Sequence, residues 1–413
     1  MRPARSGRRA WLVGCALMII SGLGACGAAP IAAPSIAARP SGSVNPANPT
    51  PTASRTTTTT PTESFTVNQP CAELVANMSL SERVGQLLMV GVRSTGTSQS
   101  DRAILARTRA GSVILLGNTA AGMQPIRGVV SRVRDAAPSP EGVEVMLAAD
   151  QEGGLVQRLK GPGFSPIPSA ARQARQSDAK LRRNAYDWGR QLSSAGINAN
   201  LAPVADVVPT NMVWINRPIG QLRRGYGPSP RTVAAKVAAF SYGMDRAGIA
   251  TAVKHFPGLG RVRGNTDYMT RVVDSTTTRH DDALAGFEAA VAAGVDMVMV
   301  SSAFYSKIDD EHRAAFSTMI IGEMLRDDLG FTGVVISDDM AAVAMRTLPP
   351  DERGLRFIRA GGDLLIIGDA SIATTMAEAI KDEAADDPDF GKLVDESAAR
   401  VVAMKERRGL AHC

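Results

Sequence analysis

Eight short apolar runs, interleaved with amphipathic stretches, constrain this chain more than any other feature of its sequence. The runs occupy residues 87–92, 112–116, 143–149, 197–204, 250–253, 296–300, 333–336 and 363–367. They are apolar almost continuously rather than at alternate positions, which suits strands buried on both faces. Between most of them lie segments with helical spacing, at 172–195, 232–247, 281–293 and 317–329. Ser79 and Glu82 set a capping box at the head of the first helical pattern. This alternation predicts the α/β class and a single (β/α)8 barrel, with room for an irregular first unit. A doubly wound open sheet is the alternative.

A barrel of this kind collects its chemistry at the C-terminal ends of its strands. Polar residues fall there. The third run ends in Asp150-Gln151-Glu152-Gly153-Gly154, the fifth in Lys254-His255 and the seventh in Ser337-Asp338-Asp339. The fourth leads through Asp206 into a long loop that contains Arg224. Segment 254–267, KHFPGLGRVRGNTD, carries a proline and three glycines. That density excludes a helix or a regular strand and reads as a shaped loop after the fifth strand.

The residue types narrow the chemistry without fixing it. Asp338 is placed to attack an electrophilic carbon or to stabilise a developing cation. Ser337, Asp338 and Asp339 equally suit the cap of the following helix. Asp150 and Arg158, on either side of a Gly-Gly pair, suit either the grip on a polar ligand or a salt bridge within a loop. Lys254 beside His255 favours a ligand site over a core histidine. His280, His312 and His412 stand in charged or terminal contexts and read as surface residues.

The flanks carry separate information. Arg2, Arg5, Arg8 and Arg9 precede an apolar run at 10–20 that is too short to span a membrane, so residues 1–25 read as a signal peptide. Leu23-Gly24-Ala25-Cys26 resembles a bacterial lipobox. It makes Cys26 the expected lipidation (palmitate-bearing) site and the cell envelope, anchored at the outer face of the cytoplasmic membrane, the expected location. Ordinary secretion is the alternative, and Arg8-Arg9 leaves a twin-arginine export route open. Loss of these four arginines lowers the formal charge from +6 to +2, which leaves no electrostatic case for nucleic acid. Residues 26–70 are rich in Ala, Pro, Ser and Thr and read as a disordered tether. Residues 71–413 make one large domain. Cys71 and Cys413 lie at its two ends, and in an exported protein a disulfide between them is expected, worth roughly 4–5 kcal/mol at most. Two free thiols are the alternative. No zinc-type spacing is present, and no metal or organic cofactor is implied.

Three motifs in order, DQEGGLVQRL (150–159), KHFPGLG (254–260) and GVVISDDM (333–340), together resemble glycoside hydrolase family 3. The likeness spans residues 78–403 and is greatest to the single-domain β-N-acetylglucosaminidase branch, the NagZ type. With the lipobox added, the chain resembles a mycobacterial-type envelope lipoprotein of that branch. The resemblance implies a TIM-type barrel with Asp338 as nucleophile. It implies that Asp150, Arg158, Lys254 and His255 hold N-acetylglucosamine, with Arg224 as a further sugar-binding arginine and Arg223 as its alternative. The implied activity is retaining, exo-acting hydrolysis of terminal N-acetylglucosamine (GlcNAc) from peptidoglycan fragments. A family 3 β-glucosidase and a catalytically degenerate sugar-binding lipoprotein are the alternatives.

One departure bears on the mechanism. In the NagZ type the loop reads PGHG and then D-S-H, whose histidine is the acid/base. Here the loop reads Pro257-Gly258-Leu259-Gly260 and then Asn265-Thr266-Asp267. Asp267 is therefore the expected acid/base, giving a two-carboxylate site; a loop without an acid/base is the other reading.

Overall fold

The computed structural model describes residues 69–413; the expected signal segment, Cys26 and nearly all of the expected tether lie outside the described residues. The first helix, Gln69–Ala76, begins slightly ahead of the expected domain boundary. Eight parallel strands form the main sheet. They are β1 (Leu88–Arg93), β2 (Ser112–Leu116), β3 (Met146–Ala149) and β4 (Ala199–Asn200). They continue with β5 (Ala250–Phe256), β6 (Met297–Val300), β7 (Val334–Ser337) and β8 (Leu365–Ile367). Each strand pairs with its neighbour in sequence, and β1 also pairs with β8. A parallel bridge from Ile336 to Leu364 links β7 to β8, so the sheet closes into a barrel and the open-sheet alternative falls.

Side chains alternate across each strand. Met89, Ile114, Met146, Ala148, Ala250, Ala252, Met297, Met299, Val334 and Ile366 fill the interior as one buried cluster. Their strand neighbours, such as Val90, Val113, Leu115, Leu147 and Val253, join the larger cluster packed under the helices. This double burial is why the runs read as continuously apolar. Methionine is flexible enough to fill an irregular barrel centre.

The C-terminal helix Pro388–Arg407 closes the N-terminal end of the barrel. Its Val401 and Met404, with Leu410 beyond it, belong to the interior cluster. Lys405 is fully buried there and donates to Gln86 Oε1 at 2.7 Å and to the Gly111 carbonyl at 2.6 Å. A disulfide joins Cys71 to Cys413, S–S 2.13 Å. Among the described residues no helix is long and apolar enough to cross a membrane.

Several boundaries differ from expectation for identifiable reasons. The stretch expected as one helix over 172–195 divides into Ala170–Gln173 and Asp178–Ser194. Ser177 restarts it by accepting the Lys180 N–H at 3.3 Å. Strand β4 is cut short by Pro203, which has no N–H to give a ladder, and pairing resumes only as the bridge from Val204 to Lys254. Strand β5 instead runs through Lys254 and His255 to Phe256, so these two residues belong to the strand and the loop begins at Pro257. Helix Met319–Asp328 is wound as a π-helix, with Leu329 N–H donating to the Met324 carbonyl at 3.1 Å. The expected capping box forms, the Glu82 carboxylate accepting from the Ser79 N–H at 2.8 Å.

Candidate active site

The C-terminal mouth of the barrel holds a cavity of about 540 Å³. Asp150, Arg158, Arg224, Lys254, His255, Asp267 and Asp338 all line it. Its floor is the barrel interior (Ile114, Leu201, Met299, Ile366), and Leu155, Tyr268 and Met269 stand exposed at its rim.

A continuous polar chain crosses the base. Lys254 Nζ lies 2.7 Å from Asp150 Oδ1 and 2.8 Å from Glu152 Oε1. Glu152 also takes both prongs of Arg224, Nε to Oε2 at 2.9 Å and Nη2 to Oε1 at 2.8 Å. Arg224 Nη2 is 3.3 Å from His255 Nε2, and His255 Nδ1 is 2.8 Å from Asp206 Oδ2. An ionised Asp206 can only accept, so it takes the Nδ1 proton, and in the neutral form of the ring Nε2 is the acceptor facing Arg224. Asp206 Oδ1 further accepts the backbone N–H groups of His255 at 3.2 Å and Leu259 at 2.7 Å.

The ionic states follow from this packing. Burial pushes Glu152 towards neutrality, but Arg224 and Lys254 outweigh it and hold the carboxyl well below the ordinary range. Burial likewise works against the charge on Lys254, yet Asp150 and Glu152 prevail and its pKa rises. Buried charges of this kind persist only when paired and hydrogen-bonded, and here each is. Burial and the Glu152 charge together raise the Tyr226 hydroxyl far above its usual value.

Arg158 makes no side-chain pair with Asp150. Its Nη1 donates weakly to Asn118 Oδ1 at 3.3 Å, and its buried Nε has no partner among the described residues. It is a donor aimed at the cavity with capacity to spare for a ligand.

The two acids after β7 divide their work. Asp339 Oδ1 accepts the N–H groups of Gly368 and Ala341, both at 2.8 Å, which ties the loop to β8 and caps the next turn. Among the described residues Asp338 accepts only its neighbour's N–H, at 2.9 Å, and it otherwise faces the cavity.

Asp267 sits in a loop built to present it. Asn265 Oδ1 accepts the Asp267 N–H at 2.9 Å, and the Thr266 carbonyl accepts the Ala344 N–H at 3.0 Å, docking the loop against the segment after β7. Leu259 is buried under this loop. Gly260 has to be glycine, because a β-carbon there would lie 1.9 Å from the Val207 carbonyl oxygen. Asp267 keeps solvent access through the mouth while protein crowds its other sides. Burial and then the charge of Asp338 raise its pKa, against the opposing pull of Arg224 and His255.

Residues 79–404 match the model of the glycosyl hydrolase family 3 N-terminal domain. The chain belongs to that family.

The comparisons agree on the type of enzyme. This family 3 hydrolase is 33% identical over 269 residues to a β-hexosaminidase of Stenotrophomonas maltophilia (strain K279a), covering 62% of this chain and 76% of that one. It is 32% identical over 284 residues to a β-hexosaminidase of Vibrio cholerae (strain M66-2), covering 68% and 82%. The crystal structure of a β-N-acetylhexosaminidase from Beutenbergia cavernae matches with TM-score 0.79 and 43% identity, over 80% of this chain and 99% of that one. The protein is thus a glycosidase on a TIM-type barrel.

Two members of the site network in this glycosidase, Glu152 and Asp206, stand at strand ends in the sequence but were not marked there as site residues. Glu152 carried a usable signal, since in extended backbone it shares a face with Asp150 two residues before it. Arg223, the other member of the arginine pair, lines a different cavity. No cluster of metal-ligating side chains is found at the mouth among the described residues; the one such group, Cys71, Glu406 and Cys413, has both sulfurs joined in the disulfide.

Proposed function

We propose that this family 3 glycosidase removes terminal β-linked GlcNAc from its substrates with retention of configuration. The observation that carries the proposal is the meeting of Asp338, Asp267 and the Asp150–Lys254–Glu152–Arg224–His255 network around one cavity. The network offers fixed donors and acceptors for sugar hydroxyls and an acetamido group. Asp338 attacks the anomeric carbon while Asp267 gives its proton to the departing glycosidic oxygen. The C–O bond breaks, the aglycone leaves as an alcohol, and the sugar is held as an ester on Asp338. Water then gives a proton to Asp267 and attacks the same carbon, releasing GlcNAc and both carboxyls in their starting states. A raised Asp267 pKa serves the first step, because the acid must arrive protonated.

Peptidoglycan fragments are the proposed natural substrates, and a lipid anchor on Cys26 is proposed to hold the enzyme at the outer face of the cytoplasmic membrane. Both rest on the sequence motifs in residues 1–26 and on the family branch. The second reading, a sugar-binding protein with little turnover, is motivated by an aspartate standing where the branch has histidine.

Turnover of 4-nitrophenyl β-N-acetylglucosaminide by the pure protein separates the two. Activity is expected, with a loss of at least about 10³-fold in Asp338→Asn. Asp267→Asn is expected to slow substrates with poor leaving groups far more than this activated one, because only the former need protonation. Folded protein that binds GlcNAc without turnover would establish the second reading instead.

A further inference from the structure

The arginine pair in IGQLRRGYG divides between two cavities. Arg224 enters the sugar-site network, whereas Arg223 lines a separate cavity of about 360 Å³ with Ser169, Arg172 and Arg175. The backbone explains the division. Arg223 holds a φ of 56°, in the left-handed region that residues with a β-carbon adopt rarely. Its N–H donates to the Gly220 carbonyl at 3.0 Å, and its own carbonyl accepts the Ala171 N–H at 3.4 Å. The tight turn thus serves both cavities from adjacent residues.

The second cavity is unbalanced in charge. Three guanidinium groups line it and no acidic side chain does. Arg172, Arg175 and Arg223 are exposed, and none has an ion-pair or side-chain hydrogen-bond partner among the described residues. Some exposed arginines elsewhere are paired, such as Arg279 with Glu323 and Asp328. Others, such as Arg107, Arg134 and Arg183, have no ion pair among the described residues. What sets Arg172, Arg175 and Arg223 apart is that they converge on one hollow lined by no acid. Gly220, Gly225, Gly227 and Ala171 keep the space between the cations open. Three like charges around one hollow repel each other until an anion enters.

We propose that this cavity is a binding site for a phosphate group. Guanidinium forks match the spacing of oxyanion oxygens and can each give two hydrogen bonds. Three cations suit a group that carries two charges better than a carboxylate, which carries one. The Ser169 hydroxyl supplies a further donor on the same wall. Because the arginines are exposed, the binding is expected to be salt-sensitive. The phosphate can come from a soluble phosphate ester or from the headgroup of a phosphatidic acid-type lipid.

Titration calorimetry of the full chain with inorganic phosphate, at constant ionic strength against chloride, tests the site directly. Co-sedimentation with phosphatidic acid vesicles, compared with phosphatidylcholine vesicles, tests the lipid source. Saturable phosphate binding that weakens at least ~10-fold in the triple variant Arg172→Gln/Arg175→Gln/Arg223→Gln supports the site. Vesicle binding that depends on phosphatidic acid and is lost in the same variant identifies a lipid source. Circular dichroism checks that the variant is folded; if it is not, Arg172→Gln and Arg175→Gln are tested singly, each expected to weaken binding several-fold. The proposal is overturned if the chain binds neither ligand, or if binding survives these substitutions undiminished. The readout is independent of glycosidase activity.

Discussion

Asp267 and Asp338 face one cavity, and the charge of Asp338 adds to burial in raising the Asp267 pKa. A retaining glycosidase needs one of its two carboxyls protonated while the other is ionised, and proximity of like charges is a direct means to that end. Removing the charge should therefore lower the Asp267 pKa. Carboxyl-carbon NMR titration of Asp338→Asn is expected to show Asp267 titrating at lower pH than in the unmodified protein. An unchanged midpoint would remove Asp338 as a cause.

The same shift has a consequence for stability. A carboxyl whose folded pKa is raised favours the folded state in its protonated form. That contribution is present below the unfolded value of about 3.9 and is lost as pH rises through the folded value. Asp267→Asn, which cannot ionise, should raise Tm relative to the unmodified protein at neutral pH. The gain should shrink in acid; a gain of equal size at both would contradict the shift.

Lys254 separates and neutralises two acids, Asp150 at 2.7 Å and Glu152 at 2.8 Å. Lys254→Met would leave Glu152 with Arg224 alone and Asp150 without its ionic partner. Breaking a buried pair from one side costs about 3–5 kcal/mol, so urea denaturation should show a loss of that order. KM for the chromogenic substrate should rise as well, since Asp150 and Arg224 would lose their alignment. A loss below about 1 kcal/mol would mean that water replaces the ammonium and that the network is wetter than its packing indicates.

The barrel was legible in the sequence because its strands are buried on both faces and therefore spell out continuous apolar runs. The mouth was legible in part. Asp338, Lys254 and His255 stood out by their position after such runs, yet the polarity of Lys254 and His255 disguised them as loop when they complete β5. Asp206 stood out only by its place after the fourth run: its role lies in His255, far along the chain, and in the N–H of Leu259. The choice between Arg223 and Arg224 depended on a left-handed backbone at Arg223, which no neighbouring glycine or asparagine announces. Pro203 did announce the break in β4, but a proline at a strand end is compatible with either continuation or arrest.

The disulfide and the active site lie at opposite ends of the barrel. Cys413 follows Leu410, which packs into the barrel interior with Val401 and Met404, and the loop that the bridge closes spans 342 positions. Cys71→Ser with Cys413→Ser is expected to lower stability by roughly 2–5 kcal/mol. The kcat of the folded variant should remain within about twofold of the unmodified protein, because neither cysteine lines the mouth. A loss of kcat at temperatures where the variant is fully folded would show instead that the C-terminal plug governs the shape of the mouth.

Lys405 gives the most direct pH test of that plug. Its ammonium is fully buried, with Gln86 Oε1 and the Gly111 carbonyl as its acceptors, and burial lowers its pKa to about 7. In the unfolded chain the value is about 10.4. Between those two limits the unfolded chain holds a proton that the folded chain has released, so stability must increase as pH rises through that window. Urea denaturation at about pH 7 and about pH 9 should therefore show a greater gain for the unmodified protein than for Lys405→Met. The variant leaves two buried acceptors without their donor, at a cost of about 1–3 kcal/mol, so its absolute stability is a poor guide and the difference between the two pH values is the quantity to compare. Equal gains in both proteins would mean that Lys405 stays charged in the folded state, held by its two acceptors without a counter-ion.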